Sequence, residues 1–208
     1  PEPLEPGKEY EVQIQLCEAG HRFVVGNRIR VALSTSYWPI AWTAPEKATI
    51  TLTAGAGSLA LPIRPERAAD FELRQFEEAE GAEPLRKTIS RGPDYQWEIK
   101  TDMKNGVVTE HQWFDEGRVT YDDHDGWTVE STHDEYRSIH PDDPLSARLD
   151  ITWTERFKRD DWEVSSITHT LVTSTNTQIM VEADMEVRMN AKVVHERNWQ
   201  LAFPRQLL

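Results

Sequence analysis

Apolar and polar residues alternate in short segments near the start of the chain. In residues 10–16 every second residue is apolar, which is the period of a β-strand with one buried face. Shorter segments of the same character follow at 23–25, 29–33, 49–54 and 58–63, with glycine-containing turns at 26–27 and 55–57. The pattern predicts four or five short antiparallel strands in residues 1–65.

The alternation stops in residues 66–93, where acidic residues are crowded. Four glutamates lie within residues 77–83, beside Gly81 and Pro84. This composition is typical of a solvated connection between folded parts. A short helix is predicted around residues 68–76, docked through Phe71 and Phe76. We interpret residues 66–93 as a polar linker region.

Strands resume at about Thr88 and become longer. Alternation is clean in residues 95–99, 108–112, 127–131 and 149–153, and long twisted strands are predicted at 162–173, 178–189 and 192–203. Turn-forming residues stand between them at 104–106, 115–117, 125–126, 175–176 and 190–191. The chain is therefore predicted to be all-β, with an antiparallel β-meander, closed or half-closed into a barrel, over residues 94–208.

Charge and composition narrow the classes of function. The 208 residues include 36 acidic and 23 basic side chains, for a net charge of −13. This balance argues against binding to nucleic acid or to an anionic membrane, because phosphate groups select clustered Lys and Arg. The chain has no apolar stretch near the roughly 20 residues that cross a bilayer. The single cysteine, Cys17, rules out an internal disulfide framework and a multi-cysteine zinc site.

The first residues are rich in Pro and Glu, lack an initiator Met and do not resemble a signal peptide. Such a composition is typical of a linker. We therefore expect the chain to be a segment of a longer protein, in the cytoplasm.

Motifs of catalysis are missing from the chain. The nearest approach to a G-x-S-x-G nucleophile elbow, residues 55–59, is out of register and falls in a predicted hairpin turn. Neither a P-loop nor a G-x-G-x-x-G motif occurs, so no nucleotide cofactor is predicted. Strand alternation could bring His111, His133 and His169 to one face of the sheet as metal ligands. A metal-dependent hydrolase built on these histidines is the least favoured hypothesis, and neither a metal nor a cofactor is expected.

Tryptophan is abundant, with eight residues. Trp97, Trp113, Trp127 and Trp153 fall on predicted strands, where they either pack the core or line an aromatic ligand pocket. Core packing is the favoured alternative. A second group, Tyr37, Trp38 and Trp42, lies in a loop that alternation does not bury, and loops carry contacts. We predict that this second group forms an interdomain contact.

Three sequence stretches carry a family resemblance. Residues 20–39, GHRFVVGNRIRVALSTSYWP, resemble the most recognisable stretch of the C-terminal, non-catalytic β domain of the X-Pro dipeptidyl-peptidase and cocaine-esterase-like (CocE/NonD) serine hydrolases. Residues 4–10, LEPGKEY, resemble the lead-in to that domain. Residues 138–147, SIHPDDPLSA, are similar to a stretch in the long C-terminal extensions of some members.

The resemblance implies a jelly-roll-like β sandwich for residues 1–65, followed by a second antiparallel β module over residues 94–208. In this family the Ser-His-Asp triad lies on a preceding α/β-hydrolase domain, so no catalytic residue transfers to this chain. The family's β domain is longer on its N-terminal side, and residues 1–65 resemble its second half. A sandwich without some of its strands leaves Val12, Ile14, Ile29 and Val31 uncovered, so we expect self-association, as a dimer.

The leading functional hypothesis is an accessory region of such a serine hydrolase. It would support the N-terminal α/β-hydrolase domain of the same protein, shape the substrate entrance and promote homo-oligomerisation, while the chain itself is not an enzyme. The parent would hydrolyse an ester or an Xaa-Pro peptide through an acyl-enzyme. The alternative is a β-barrel-like binding module for a hydrophobic or carbohydrate ligand.

Overall fold

The computed structural model describes residues 3–53 and 55–205. Eight antiparallel β-strands follow one another from residue 87 to residue 204. Their bounds are β1 (Lys87–Arg91), β2 (Asp94–Thr101), β3 (Val108–Tyr121), β4 (Trp127–His140), β5 (Asp143–Arg159), β6 (Trp162–Ser174), β7 (Gln178–Met189) and β8 (Lys192–Pro204). The all-β prediction and the predicted antiparallel meander are confirmed.

The strands form one open sheet that does not close into a barrel. From β3 to β8 each strand pairs with the next along the chain, while β1 and β2 both pair with β3. Two-residue turns between long strands require positive φ, and Asn190-Ala191 supplies it between β7 and β8, with φ of 48° and 66°. The turn predicted at residues 190–191 is therefore present.

One predicted turn is wrong. Residues 115–117 do not end a strand, because β3 runs through them and shifts register by a β-bulge between Asp115 and Arg118. Gly117 has a φ of 83°, and a Cβ there would overlap the carbonyl oxygen of Arg91. The carboxylate of Asp115 accepts a hydrogen bond from the backbone N–H of Gly117 at 2.8 Å and pairs with the Arg91 guanidinium. The bulge lets one long strand pair with β2 along its first part and with β1 along its last.

The two faces of the sheet differ in character, as alternation requires. The apolar face carries a cross-strand row of directly opposed residues, Tyr95, Phe114, His133 and Trp153. The polar face carries the row Glu98, His111, Tyr136 and Asp150. No described helix or second sheet covers either face, and most side chains in the middle strands are half-buried by their neighbours within the sheet.

Residues 3–53 and 55–86 contain no β-strand in this structure. Strands need hydrogen-bonded neighbours and a second layer that buries their alternate side chains, and this segment has neither. Val12, Ile14, Ile29 and Val31 are 69%, 61%, 50% and 58% exposed. The turn expected at residues 26–27 does form, with Asn27 N–H donating to the carbonyl of Val24 at 3.1 Å, and another turn has Lys8 N–H donating to the carbonyl of Glu5 at 3.2 Å. The jelly-roll-like sandwich stays a prediction for residues 1–65.

The short helix predicted around residues 68–76 is reduced to one 3-10 turn, Ala68–Phe71. The docking role predicted for its aromatic residues is wrong, since Phe71 and Phe76 are 79% and 103% exposed. An ion pair fixes the turn instead, because the Asp70 carboxylate accepts hydrogen bonds from the Arg64 side chain at 2.7 Å and from Arg67 N–H at 3.0 Å. Within residues 3–53 and 55–205, no helix has the length and apolar character needed to cross a bilayer.

The chain exposes far more surface than a compact protein of its size. Its accessible surface is 17675 Å², whereas a compact monomer of this mass exposes about 9,900 Å². Among the described residues, Ala147 is the one buried apolar side chain. The described residues thus form a single-layer sheet, without the second packed layer around which domains are usually built.

Candidate functional site

An aromatic loop of the N-terminal segment docks on the end of the sheet. Trp38 and Trp42 pack edge to face, with ring centroids 5.1 Å apart and planes at 85°. A backbone hydrogen bond from Ala41 N–H to the carbonyl of Tyr37, at 2.9 Å, closes the turn between them. The Trp42 indole then donates its Nε1–H to the hydroxyl of Ser174, at the end of β6, at 3.0 Å.

The residue after Trp42 completes the attachment. Thr43 is 2% exposed, and its hydroxyl donates to the carbonyl of Pro144 in β5 at 2.7 Å. Arg205, which is 3% exposed, follows β8, and its guanidinium donates to the carbonyl of Thr43 and to Ser174 Oγ, the latter at 3.1 Å. We call this cluster, formed by Trp42, Thr43, Pro144, Ser174 and Arg205, the latch.

The latch combines polar groups from four distant parts of the chain, and Thr43 and Arg205 among them are buried. The Arg205 guanidinium also donates to the carbonyl of Thr175 at 2.9 Å, and burial lowers its pKa. An exposed ion pair between Lys47 and Asp142, at 2.5 Å, lies beside it. Because buried polar groups are costly unless they are paired, this arrangement specifies one position for the loop on the sheet.

The structure separates the three residues predicted to make an interdomain contact. Trp38 and Trp42 are half-buried against each other and the sheet, whereas Tyr37 is 68% exposed. Their contact with another domain stays a prediction. Sequence reasoning missed Thr43 and Arg205, because the partners of the latch are up to 162 residues apart and leave no periodic signal. The one available clue was the resemblance of residues 138–147, which include Pro144.

The four tryptophans proposed as an aromatic pocket do not share a face. Trp97, Trp127 and Trp153 lie on the apolar face, and Trp113 lies on the polar face. Trp153 stacks on His133 at 4.4 Å, at the end of the aromatic row. Trp127 belongs to a separate cluster, where it stacks on Trp162 at 5.5 Å. They enclose no common cavity among the described residues, and a ligand on this face stays a prediction that saturable quenching of tryptophan fluorescence would test.

The histidines are divided in the same way. His111 and His169 lie on the polar face and His133 on the apolar face, so the expectation that all three share one face is wrong. Directly opposed residues on neighbouring strands project from the same face, and the register of β3 and β4 places Phe114 rather than His111 opposite His133. His111 is three residues from Phe114 and therefore projects from the other face. Within residues 3–53 and 55–205, no group of three or more metal-binding side chains is assembled.

Each polar-face histidine lies between two carboxylates. His111 Nε2 is 2.6 Å from Asp134, its Nδ1 is 3.3 Å from Glu98, and its ring stacks on Tyr136 at 4.2 Å. The hydrogen bond from Lys100, helped by that of His111, lowers the pKa of Glu98. Burial, together with the nearby Asp134 charge, raises the pKa of Tyr136.

The second histidine has a similar setting. His169 Nε2 is 2.7 Å from Asp150, and its Nδ1 is 3.6 Å from Asp184. Burial acts to raise the pKa of Asp150, but hydrogen bonds from His169 and Arg148 outweigh it and lower that pKa. In the described part of the chain, no serine hydroxyl hydrogen-bonds to His111 or His169. These networks therefore tie neighbouring strands together and lack the nucleophile of an acyl-transfer site.

Comparison with known proteins agrees with the sequence resemblance. Residues 1–100 match the family described as the X-Pro dipeptidyl-peptidase C-terminal non-catalytic domain. No curated protein and no solved structure matched the chain. The match covers the N-terminal segment, the latch loop and the first two strands of the sheet. Residues 1–100 of this chain therefore belong to the X-Pro dipeptidyl-peptidase C-terminal non-catalytic domain family.

Proposed function

We propose that the chain is the non-catalytic C-terminal accessory region of a serine hydrolase that cleaves an ester or an Xaa-Pro peptide. The family match over residues 1–100 carries this proposal. In the parent protein a Ser-His-Asp triad on an N-terminal α/β-hydrolase domain forms and hydrolyses the acyl-enzyme. The accessory region supports that domain, borders the substrate entrance and promotes oligomerisation.

The exposed surface of the chain supports this role. The solvent-accessible surface of the chain, 17675 Å², includes the apolar side chains of residues 10–33, which no described element covers. Large uncovered apolar surfaces mark interaction sites. The hydrolase domain is the proposed partner for this N-terminal segment, since a packed second layer would supply both the hydrogen-bonded neighbours and the burial that its strands need.

The latch fixes the position of the aromatic loop relative to the sheet. It fastens the N-terminal segment to the sheet through Thr43, while the neighbouring Tyr37 and Ile40 are 68% and 76% exposed. We propose that these two exposed residues contact the hydrolase domain. In that arrangement Trp42 attaches the loop to the sheet through its hydrogen bond to Ser174, and Tyr37 contacts the hydrolase domain.

A pair of substitutions tests this division of roles. Tyr37→Ala is expected to lower the thermal midpoint of the longer protein and leave that of the 208-residue chain unchanged, because the partner of Tyr37 is on the hydrolase domain. Trp42→Ala is expected to lower both, because its hydrogen-bond partner lies within this chain. Equal effects of Tyr37→Ala on the two proteins would contradict the proposed contact.

Activity measurements test the accessory role itself. The longer protein is expected to hydrolyse p-nitrophenyl acetate or an Xaa-Pro-anilide, and the 208-residue chain to be inert towards both. Removal of residues 1–208 from the longer protein should leave its triad in place but reduce its stability and its kcat/KM. An unchanged kcat/KM and thermal midpoint after this removal would refute the proposed supporting role.

A further inference from the structure

The apolar face of the sheet is large enough to be an interface. Its exposed aromatic side chains are Tyr95, Trp97, Trp153, Trp162 and Phe203, with exposed fractions of 48%, 59%, 42%, 38% and 50%. At about 200 Å² for each complete aromatic side chain, these five alone leave roughly 450 to 500 Å² uncovered. The largest apolar patch on a typical monomer covers about 300–600 Å² in total, and this face also carries Ile99, Met189 and Leu201.

The extent of the face matches what a stable dimer needs. Strands β3 to β8 have 14, 14, 17, 13, 12 and 13 residues. With strands about 4.8 Å apart and a rise of about 3.3 Å per residue, their common face measures roughly 1,200 Å². Two such faces in contact would hide roughly 2,400 Å², which lies in the range of about 2,000–5,000 Å² found for obligate homodimers.

Most of the charged groups in the middle of this face have an ion-pair partner within the sheet. Arg137 lies 2.7 Å from Glu135 and 3.6 Å from Glu110, and all three project from the apolar face. Glu155, on the same face, accepts a hydrogen bond from Ser131 at 2.8 Å. The ion pairs of Arg137 lower the cost of burying these charges, whereas Glu155 has, among the described residues, only the neutral Ser131 hydroxyl, so the apolar contacts of the interface must outweigh a remaining desolvation cost.

The β8 edge of the sheet is less suited to self-association than its apolar face. The β8 edge strand carries Lys192, Glu196 and Arg197, shifts register near Val194 and ends at Pro204. Charges, bulges and proline on an edge strand disfavour pairing with the edge of another chain. Contact between two copies through the β8 edge is therefore disfavoured relative to contact through the faces, where two sheets pack about 10 Å apart.

We propose that two copies of this chain pack the apolar faces of their sheets against each other and form a β-sandwich dimer. The proposal rests on the oligomerisation part of the proposed function and names the surface that performs it. A two-fold axis brings the aromatic row of one copy against the apolar face of its partner. Each sheet thereby supplies the second layer that the other lacks.

Sedimentation velocity of the 208-residue chain over a range of concentrations tests this interface with matched variants. Trp153 and Tyr136 are 42% and 41% exposed, each stacks on one histidine, and they project from opposite faces of adjacent strands. Trp153→Lys is expected to raise the dimer dissociation constant at least about tenfold, and Tyr136→Lys to change it by less than about threefold. Circular dichroism checks that both variants retain the strand content of the wild type.

A second pair covers the case in which Trp153→Lys fails to fold. Ile99 is 67% exposed on the apolar face of β2, and Gln96 lies on the polar face of the same strand. Ile99→Lys should weaken the dimer and Gln96→Lys should not. A monomeric wild-type chain would overturn the proposal, and so would a dimer that resists the folded apolar-face variants.

The outcomes separate this inference from the proposed function. A monomeric chain in which the Tyr37 contact and the activity measurements behave as expected would leave the accessory role in place and reject the dimer. A dimer that dissociates on Ile99→Lys, combined with no effect of deleting the region from the longer protein, would retain the interface and reject the supporting role.

Discussion

Replacing Arg205 by Met should release the aromatic loop from the sheet. The guanidinium donates to the carbonyl of Thr43, to Ser174 Oγ and to the carbonyl of Thr175. Methionine retains much of the apolar volume of the side chain but none of these donors. The carbonyl of Thr43, in a residue that is 2% exposed, then loses its charged donor inside the contact.

The size of the effect follows from these contacts. A hydrogen bond to a charged group contributes about 1.5–3 kcal/mol, and a buried acceptor left without a donor costs about 1–3 kcal/mol. Ser174 and Thr175 lie at the end of a strand, where hydrogen bonds to water can replace some of those lost with the guanidinium. We therefore expect the docked state of the loop to lose about 2–3 kcal/mol, which corresponds to a rise of about 30- to 150-fold in the undocked population.

The indole N–H of Trp42 reports this population directly, because it donates to Ser174 at 3.0 Å in the docked state. Its hydrogen exchange can be followed by NMR in protein labelled at the tryptophan indole. Arg205→Met should accelerate this exchange by about 30- to 150-fold, in line with the calculated loss. Arg188→Met is the matched control, since Arg188 is half-exposed and pairs with Glu186 on the polar face. Acceleration of less than threefold in Arg205→Met would refute the reasoning about the latch.

Three further predictions concern the sheet and the surface of the latch. Gly117→Ala should lower the free energy of unfolding, measured in urea, by at least about 2 kcal/mol more than Gly126→Ala. Both glycines have positive φ, but only at Gly117 would the added Cβ clash with a backbone carbonyl. The pKa of Asp150 is lowered in the folded state, so its stabilising effect is present above about pH 4 and is lost as pH falls further. Asp150→Asn should accordingly flatten the loss of stability on acidification, measured as the thermal midpoint against pH. Lys47→Ala should change stability by less than about 0.5 kcal/mol, because its ion pair is exposed on both sides.

The sequence pattern located most strands of the sheet because alternation and turns are local signals. Residues 178–189 were predicted as a strand, and β7 has the same bounds. The pattern could not distinguish a turn from a bulge at residues 115–117. Asp-Glu-Gly suits both, and the choice depends on whether strands β1 and β2 are available to pair along one continuous β3.

Contacts between distant residues left no comparable signal. Alternation shows that Trp113 and Phe114 project from opposite faces, but it does not show which of the two residues shares a face with Trp153 on another strand. The predicted aromatic pocket therefore combines Trp113 with tryptophans that lie on the other face of the sheet. The latch joins Trp42 to Ser174, 132 residues away, through side chains that no period relates. In residues 1–65 the alternation is equally clear, yet a stable strand also needs hydrogen-bonded neighbours and a packed layer, which the described residues do not show there.

Labelling with a fluorophosphonate probe tests whether the proposed accessory region is non-catalytic. Such probes react covalently with the activated serine of a serine hydrolase. The purified 208-residue chain is expected to take up no probe, as measured by intact-protein mass spectrometry, while the longer protein is expected to be labelled at one serine outside residues 1–208. Stoichiometric labelling of a serine within the 208-residue chain would instead show that this chain carries an activated nucleophile of its own.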